Sequence, residues 1–194
     1  PAAAAFMAEH PEVNIELLLL DRIVDLVEEG IDMAVRVARL PDSTMVAHAV
    51  GETRRAVVAS PALIKSSGLP KKPEDLCGKR CVTFTGMSSP SHWNLRERRK
   101  RVQVAIKSAL VTNQIDAGVL ACVQSVGFGQ FFDYHVLAEI KAGKLVRILE
   151  KFEDEPIPAS IVYPSARHLS PNVRAFTEFA QPRIREQLRL LQKM

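Results

Sequence analysis

Residues 13–37 change hydrophobic period twice, and that change narrows the possible folds more than any other feature of the chain. Val13, Ile15, Leu17 and Leu19 alternate with Asn14 and Glu16, which is the period of a strand. Asp21 can cap a short helix carrying Ile23, Val24, Leu26 and Val27 on one face, with Gly30 just past its end. Asp32 to Val37 then reads as a second strand. Strand, short helix and strand form a β-α-β unit, the signature of a parallel sheet, so the fold class expected is α/β.

The remaining sequence continues that theme. An uncapped Ala-rich helix ends at His10-Pro11, because proline disfavours the α region in the residue before it. A sheet of this kind ordinarily opens on a strand, so the chain reads as a fragment lacking its first one. Leu40 to Ser43 is a turn, followed by strands over 45–50 and 54–60. Ser60-Pro61 is a cap followed by a first-turn proline, starting a helix that stops near Gly68. A strand over 80–84, hairpin-like strands within 94–110 and a helix over 114–125 capped by Asn113 come next. After Gly127-Phe-Gly129, residues 131–135 and a helix from about 136 to 141 lead to a strand over 145–149. Residues 150–158 are acidic and proline-bearing, a candidate crossing between lobes. Residues 159–163 are the last strand, and Ser170-Pro171 caps a final amphipathic helix with Val173, Phe176, Phe179 and Ile184 inward.

Composition excludes several classes. With 194 residues, 47% hydrophobic and 25% charged, the chain can bury a core and is not disordered. No run approaches the ~20 apolar residues of a membrane span. Cys77, Cys81 and Cys122 fit reduced thiols of a cytoplasmic protein better than a disulfide or metal framework. The net charge of +4 is modest, and its densest cluster, Arg96 to Arg101, reads either as a phosphate contact or as a solvated hairpin tip. GxSxG, HExxH and P-loop motifs are missing, and His48, His135 and His168 sit in separate segments, so neither catalysis nor a cofactor or metal is expected.

One ordered set of motifs carries a family resemblance. His10-Pro-Glu-Val13, Asp21 to Asp32, Val35-Arg-Val37, Leu40 to Ser43, Val58 to Pro61, Trp93, Asn113, Gly127-Phe-Gly-Gln-Phe131 and Arg167-His-Leu-Ser-Pro171 follow one another as in LysR-type transcription regulators. The chain resembles their C-terminal effector-binding domain over essentially its whole length. The resemblance implies a two-lobed, type II periplasmic-binding-protein-like fold with two crossover strands and a small effector in the cleft. Lobe I would comprise 1–53 and 159–194, and lobe II 54–158. It implies a homodimer or homotetramer, DNA contact only through an N-terminal winged helix-turn-helix that this sequence lacks, and no membrane partner.

The effector residues expected are Arg36, Val37, Thr85, Asn113, Gly127, Phe128 and Phe131. Arg36 can hold an effector carboxylate in a bidentate pair or form a structural ion pair with Asp32 or Glu29. Thr85 follows a strand and can offer a hydroxyl. Asn113 starts a helix whose free N–H groups suit an anion. Gly127 permits close backbone approach, and Ser125 stands where the family's segment usually has its first glycine. Phe128 and Phe131 either line the pocket or fill the core, and Trp93 either stacks on an effector or pins the hairpin. The function expected is effector sensing by a transcription regulator, with a small organic anion as a candidate effector. The alternatives are a transporter's solute-binding protein and an enzyme built on the same two-lobed fold.

Overall fold

The computed structural model describes residues 2–20, 24–40, 45–86, 89, 91–98, 100–164 and 170–191. The expected cap at Asp21, the Pro41 to Ser43 turn and Arg167 to Leu169 of the last motif lie outside them. The chain divides into two compact units, Pro1–Thr53 with Ile157–Met194, and Arg54–Pro156. The mixed α/β class is the one that the sequence indicated.

The first unit is built on a three-stranded sheet. β1 (Ala34–Val37) and β2 (Met45–Thr53) flank β10 (Ile157–Pro164) and both pair with it antiparallel. Helix α5 (Pro171–Leu191) packs on β2 and against α1 (Ala2–Glu9). Ser170 starts α5 as its sequence suggests, its hydroxyl accepting the Val173 N–H at 3.3 Å. Phe6 is buried with its ring edge-on to Phe176 and Phe179, at centroid distances of 5.1 and 5.2 Å.

The β-α-β unit expected over 13–37 does not form here. Val13 to Leu20 has no ladder partner among the described residues, and Leu17 to Leu20 are exposed. Alternating hydrophobicity sorts side chains onto two faces, but a strand exists only when a neighbour accepts its main-chain hydrogen bonds. The segment after it is one helical turn. The Asp25 carboxylate accepts the Val27 and Glu28 N–H groups, Leu26 is buried, and Gly30 closes the turn at φ 65°.

The second unit does contain parallel pairing. Its five-stranded sheet has the order β7 (Lys107–Thr112), β4 (Arg80–Phe84), β8 (Phe128–Phe132), β3 (Arg55–Ala59), β9 (Val146–Ile148). β4 runs parallel to both β7 and β8, while β3 runs antiparallel to β8 and β9. Ser60 caps α2 (Pro61–Ser67) through the Leu63 N–H at 3.1 Å, and Gly68 ends it. Helices α3 (Ile115–Val123) and α4 (Asp133–Lys141) cover one sheet face over Val58, Val82, Phe84 and Phe131. The hairpin β5 (His92–Glu97) and β6 (Lys100–Ala105) supplies Trp93, Leu95 and Val104 to the core on the other face. Trp93 is 1% exposed, so it pins the hairpin.

Candidate functional site

Because β7, β4 and β8 run parallel, their carboxyl ends share one sheet edge, the edge at which open α/β sheets gather ligand-binding loops. Three segments meet there. β4 runs out into the exposed Thr85, whose N–H donates to the Thr112 carbonyl at 3.0 Å. Thr112 closes β7, and its hydroxyl accepts the Gln114 N–H at 3.0 Å. The first helical bond of α3 then runs from the Gly118 N–H to the Gln114 carbonyl at 3.1 Å. The amides of Ile115, Asp116 and Ala117 therefore belong to the first turn, which has no intrahelical acceptor. β8 enters α4 at Asp133, whose carboxylate accepts the Tyr134 N–H at 2.9 Å and the Arg54 N–H at 3.2 Å. The Asp133 N–H in turn donates to the Arg54 carbonyl at 2.9 Å, tying the end of β8 to the start of β3.

Thr85 and Asn113 are thus brought to one edge, but the capping role expected of Asn113 is overturned. Gln114 is the N-cap residue and makes no side-chain cap bond. The Thr112 hydroxyl meets the Gln114 amide first, which moves the helix start one residue along and leaves Asn113 exposed beside it. Thr112 and Asp133 are the residues that sequence reasoning missed. A Thr two residues before a helix start was the only signal for the first. The second depends on β3 and β8 becoming neighbours.

Gly127, Phe128 and Phe131 are placed differently. Gly127 precedes β8 beside Arg80, at the opposite edge of the sheet, about five residues or ~16 Å of strand from Thr85. A Cβ there would lie 2.6 Å from the Arg80 carbonyl oxygen, so its close approach is to main chain. Phe128 and Phe131 are core residues on opposite faces of β8, 1% and 0% exposed, and offer no surface to a ligand. Three residues apart on a strand, their side chains point to opposite faces, and both faces of this strand are covered. Ser125 takes the backbone role of the missing glycine at φ 63°, and its hydroxyl bonds that of Ser60 at 2.7 Å.

In the first unit, Arg36 and Val37 close β1 opposite Ser160 and Ala159. The half-buried Arg36 guanidinium donates to the Val24 carbonyl and so fastens the turn before β1. Val37 is half-buried at the strand end.

Burial is the first cause of the largest shifts in ionisation. Burial pushes the Cys81 and Cys122 thiols up to about 12, with each other's charge a lesser cause at Cys122. Burial also drives His135 down to about 4 against the opposing pull of Asp116 and Asp133. His48 is bonded through Nε2 to the Tyr163 hydroxyl at 2.7 Å. No three His, Cys, Asp or Glu side chains gather as metal ligands among the described residues. No helix of theirs is long and apolar enough to cross a membrane. The basic run of the hairpin is partly neutralised locally, since Arg96 pairs with Glu155 and Arg101 with Asp154 at 3.3 Å.

A mixed α/β domain with polar groups gathered at the carboxyl ends of its parallel strands has the arrangement in which such sheets hold ligands. The profile of the LysR substrate binding domain matches residues 1–185, and the chain belongs to that family. It is 31% identical over 181 residues to an HTH-type transcriptional repressor of Pseudomonas aeruginosa strain UCBPP-PA14, covering 92% of this chain and 57% of that protein. It is 32% identical over 193 residues to the HTH-type transcriptional regulator PtxR of Pseudomonas aeruginosa, covering 98% of this chain and 61% of PtxR. The regulatory domain of CrgA from Neisseria meningitidis superposes with a TM-score of 0.80 at 26% identity, covering 97% of this chain and 90% of that one. The chain therefore spans about three fifths of the length of the regulators it matches. The fold and the effector-sensing class inferred from sequence stand, and the transporter alternative is not favoured.

Proposed function

We propose that this domain senses a small organic monoanion through Thr85, Asn113 and the first-turn amides of α3. The observation that carries this reading is the Thr85 to Thr112 main-chain bond, which fastens Thr85 to the end of β7, two residues before the N-cap of α3. Those amides and the helix dipole favour a carboxylate. Asp116 in the first turn weakens that field, which favours a singly charged ligand carrying its own hydrogen-bond partners over a multiply charged one. The role is binding without catalysis, in the cytoplasm. The whole regulator is a homodimer or homotetramer that meets DNA through a separate helix-turn-helix. Ligand binding controls it only to the extent that the ligand prefers one of its conformations.

The test is a thermal-shift screen of residues 1–194 against aromatic and aliphatic carboxylates, amino acids and sugars. A ligand at about a hundredfold excess over its Kd stabilises by about 2.7 kcal/mol, a visible rise in Tm. That rise is expected to disappear in Thr85→Ala and Asn113→Ala. Hits that both variants retain in full would move the site away from this edge.

A further inference from the structure

A second polar site lies away from the carboxyl strand edge. A cavity of about 310 Å³ opens among Arg96 and Arg98 of the β5–β6 hairpin and Lys151, Glu153 and Glu155 of the segment after β9. All five lining side chains are charged, so an apolar ligand would strip them of water without replacing it. The size falls at the lower end of the ~300–1,000 Å³ typical of ligand pockets, so the occupant is small.

The charges do not cancel. Three cations face two carboxylates, and both carboxylates are already engaged. Glu153 is held at both oxygens by Arg147, whose Nε donates at 2.6 Å, and its side chain is only 4% exposed. Glu155 is paired with Arg96. Behind the wall, Arg147 is offset by Glu150, whose charge acts on both Arg147 and Glu153, so the cavity keeps the one-charge positive excess of its lining. Asp154, between them in sequence, is turned to Arg101. Arg98 and Lys151 make no ion pair with any described residue, and both are exposed. The Arg96 Nε–H is out of solvent reach and has no acceptor among the described residues, and an unmet buried donor of a charged group is costly. Arg98 sits at the hairpin tip at φ 46°, the left-handed conformation that a two-residue hairpin turn asks of its first residue.

We propose that this cavity binds a small phosphate-bearing dianion, held between Arg98 and Lys151 with Arg96 in its wall. Guanidinium groups match the oxygen spacing of phosphate, and a lysine supplies the point charge. The site lies on the hairpin and the last residues of the second unit, and it shares no residue with the Thr85–Asn113 edge.

The experiment is an amide and arginine-Nε NMR titration of residues 1–194 with inorganic phosphate, against chloride at matched ionic strength. Saturable shifts at Arg98 and Lys151 are expected, with a Kd of roughly a millimolar or tighter. The double variant Arg98→Ala/Lys151→Ala, both at exposed positions, should weaken binding at least about tenfold with an unchanged spectrum elsewhere. Shifts that follow chloride, or saturating shifts that survive the double variant, would overturn the proposal. So would a response to a short DNA duplex without a response to phosphate, which would assign the cavity to nucleic acid.

Discussion

At the residue scale, the clearest constraint is Gly127. Its missing Cβ lets β8 approach the main chain of β4, since a methyl group would overlap the Arg80 carbonyl oxygen at 2.6 Å. The obstacle is backbone within a sheet and cannot swing aside as a side chain would. Gly127→Ala is therefore expected to destabilise the second unit by about 2–3 kcal/mol, measured as a fall in the urea midpoint. The expected effect is on stability, because Gly127 sits at the far edge from Thr85. Ser125 makes the complementary point. A left-handed residue is tolerated there without glycine because its hydroxyl bonds Ser60, which also caps α2.

At the element scale, α4 carries a pH response. His135 lies near Asp116 of α3 and Asp133 of its own helix, with the rings of Phe132 and Tyr134 packed against it. Its Nδ1 is buried with no hydrogen-bond partner among the described residues, and burial lowers its pKa to about 4 from an ordinary 6.5. The folded state therefore binds the proton more weakly than the unfolded state. The contribution to stability is complete above about pH 6.5 and is lost as pH falls through about 4. In melts recorded from pH 7 to 4, His135→Phe should lose less Tm on acidification than the parent. Equal slopes for the two proteins would show that the carboxylates alone set the acid response. Elements also show where periodicity misleads. The amphipathic α5 with its Ser170 cap was fully readable because a helix satisfies its own main chain. The run Val13 to Leu20 has a strand's pattern and no strand partner among the described residues.

At the scale of the whole molecule, the relatives are longer than this chain, and their length beyond the match allows for a separate DNA-reading part. The charge of +4 is modest, and the pairing of Arg96 with Glu155 and of Arg101 with Asp154 lowers the positive charge that the hairpin offers a duplex. Residues 1–194 alone are expected to show no sequence-specific retardation of an operator fragment in a gel shift. Specific retardation at physiological salt would mean that this domain reads DNA itself.

What the sequence determined by itself is what local physics can decide. Caps at Ser60 and Ser170, the glycine stops at Gly30 and Gly68, the apolar faces of the helices and the ordered motifs of the family all rest on contacts within a few residues. The tertiary structure alone decided which strands meet. It paired β1 with β10 antiparallel, and it put parallel pairing in the second unit, not across residues 13–37. It also divided the candidate residues, gathering Thr85 with Asn113 while sending Phe128 and Phe131 into the core. A strand presents donors and acceptors that any other strand can fill, so its neighbours follow from long-range packing. The site inherits that dependence, because its edge exists only once β4, β7 and β8 lie side by side.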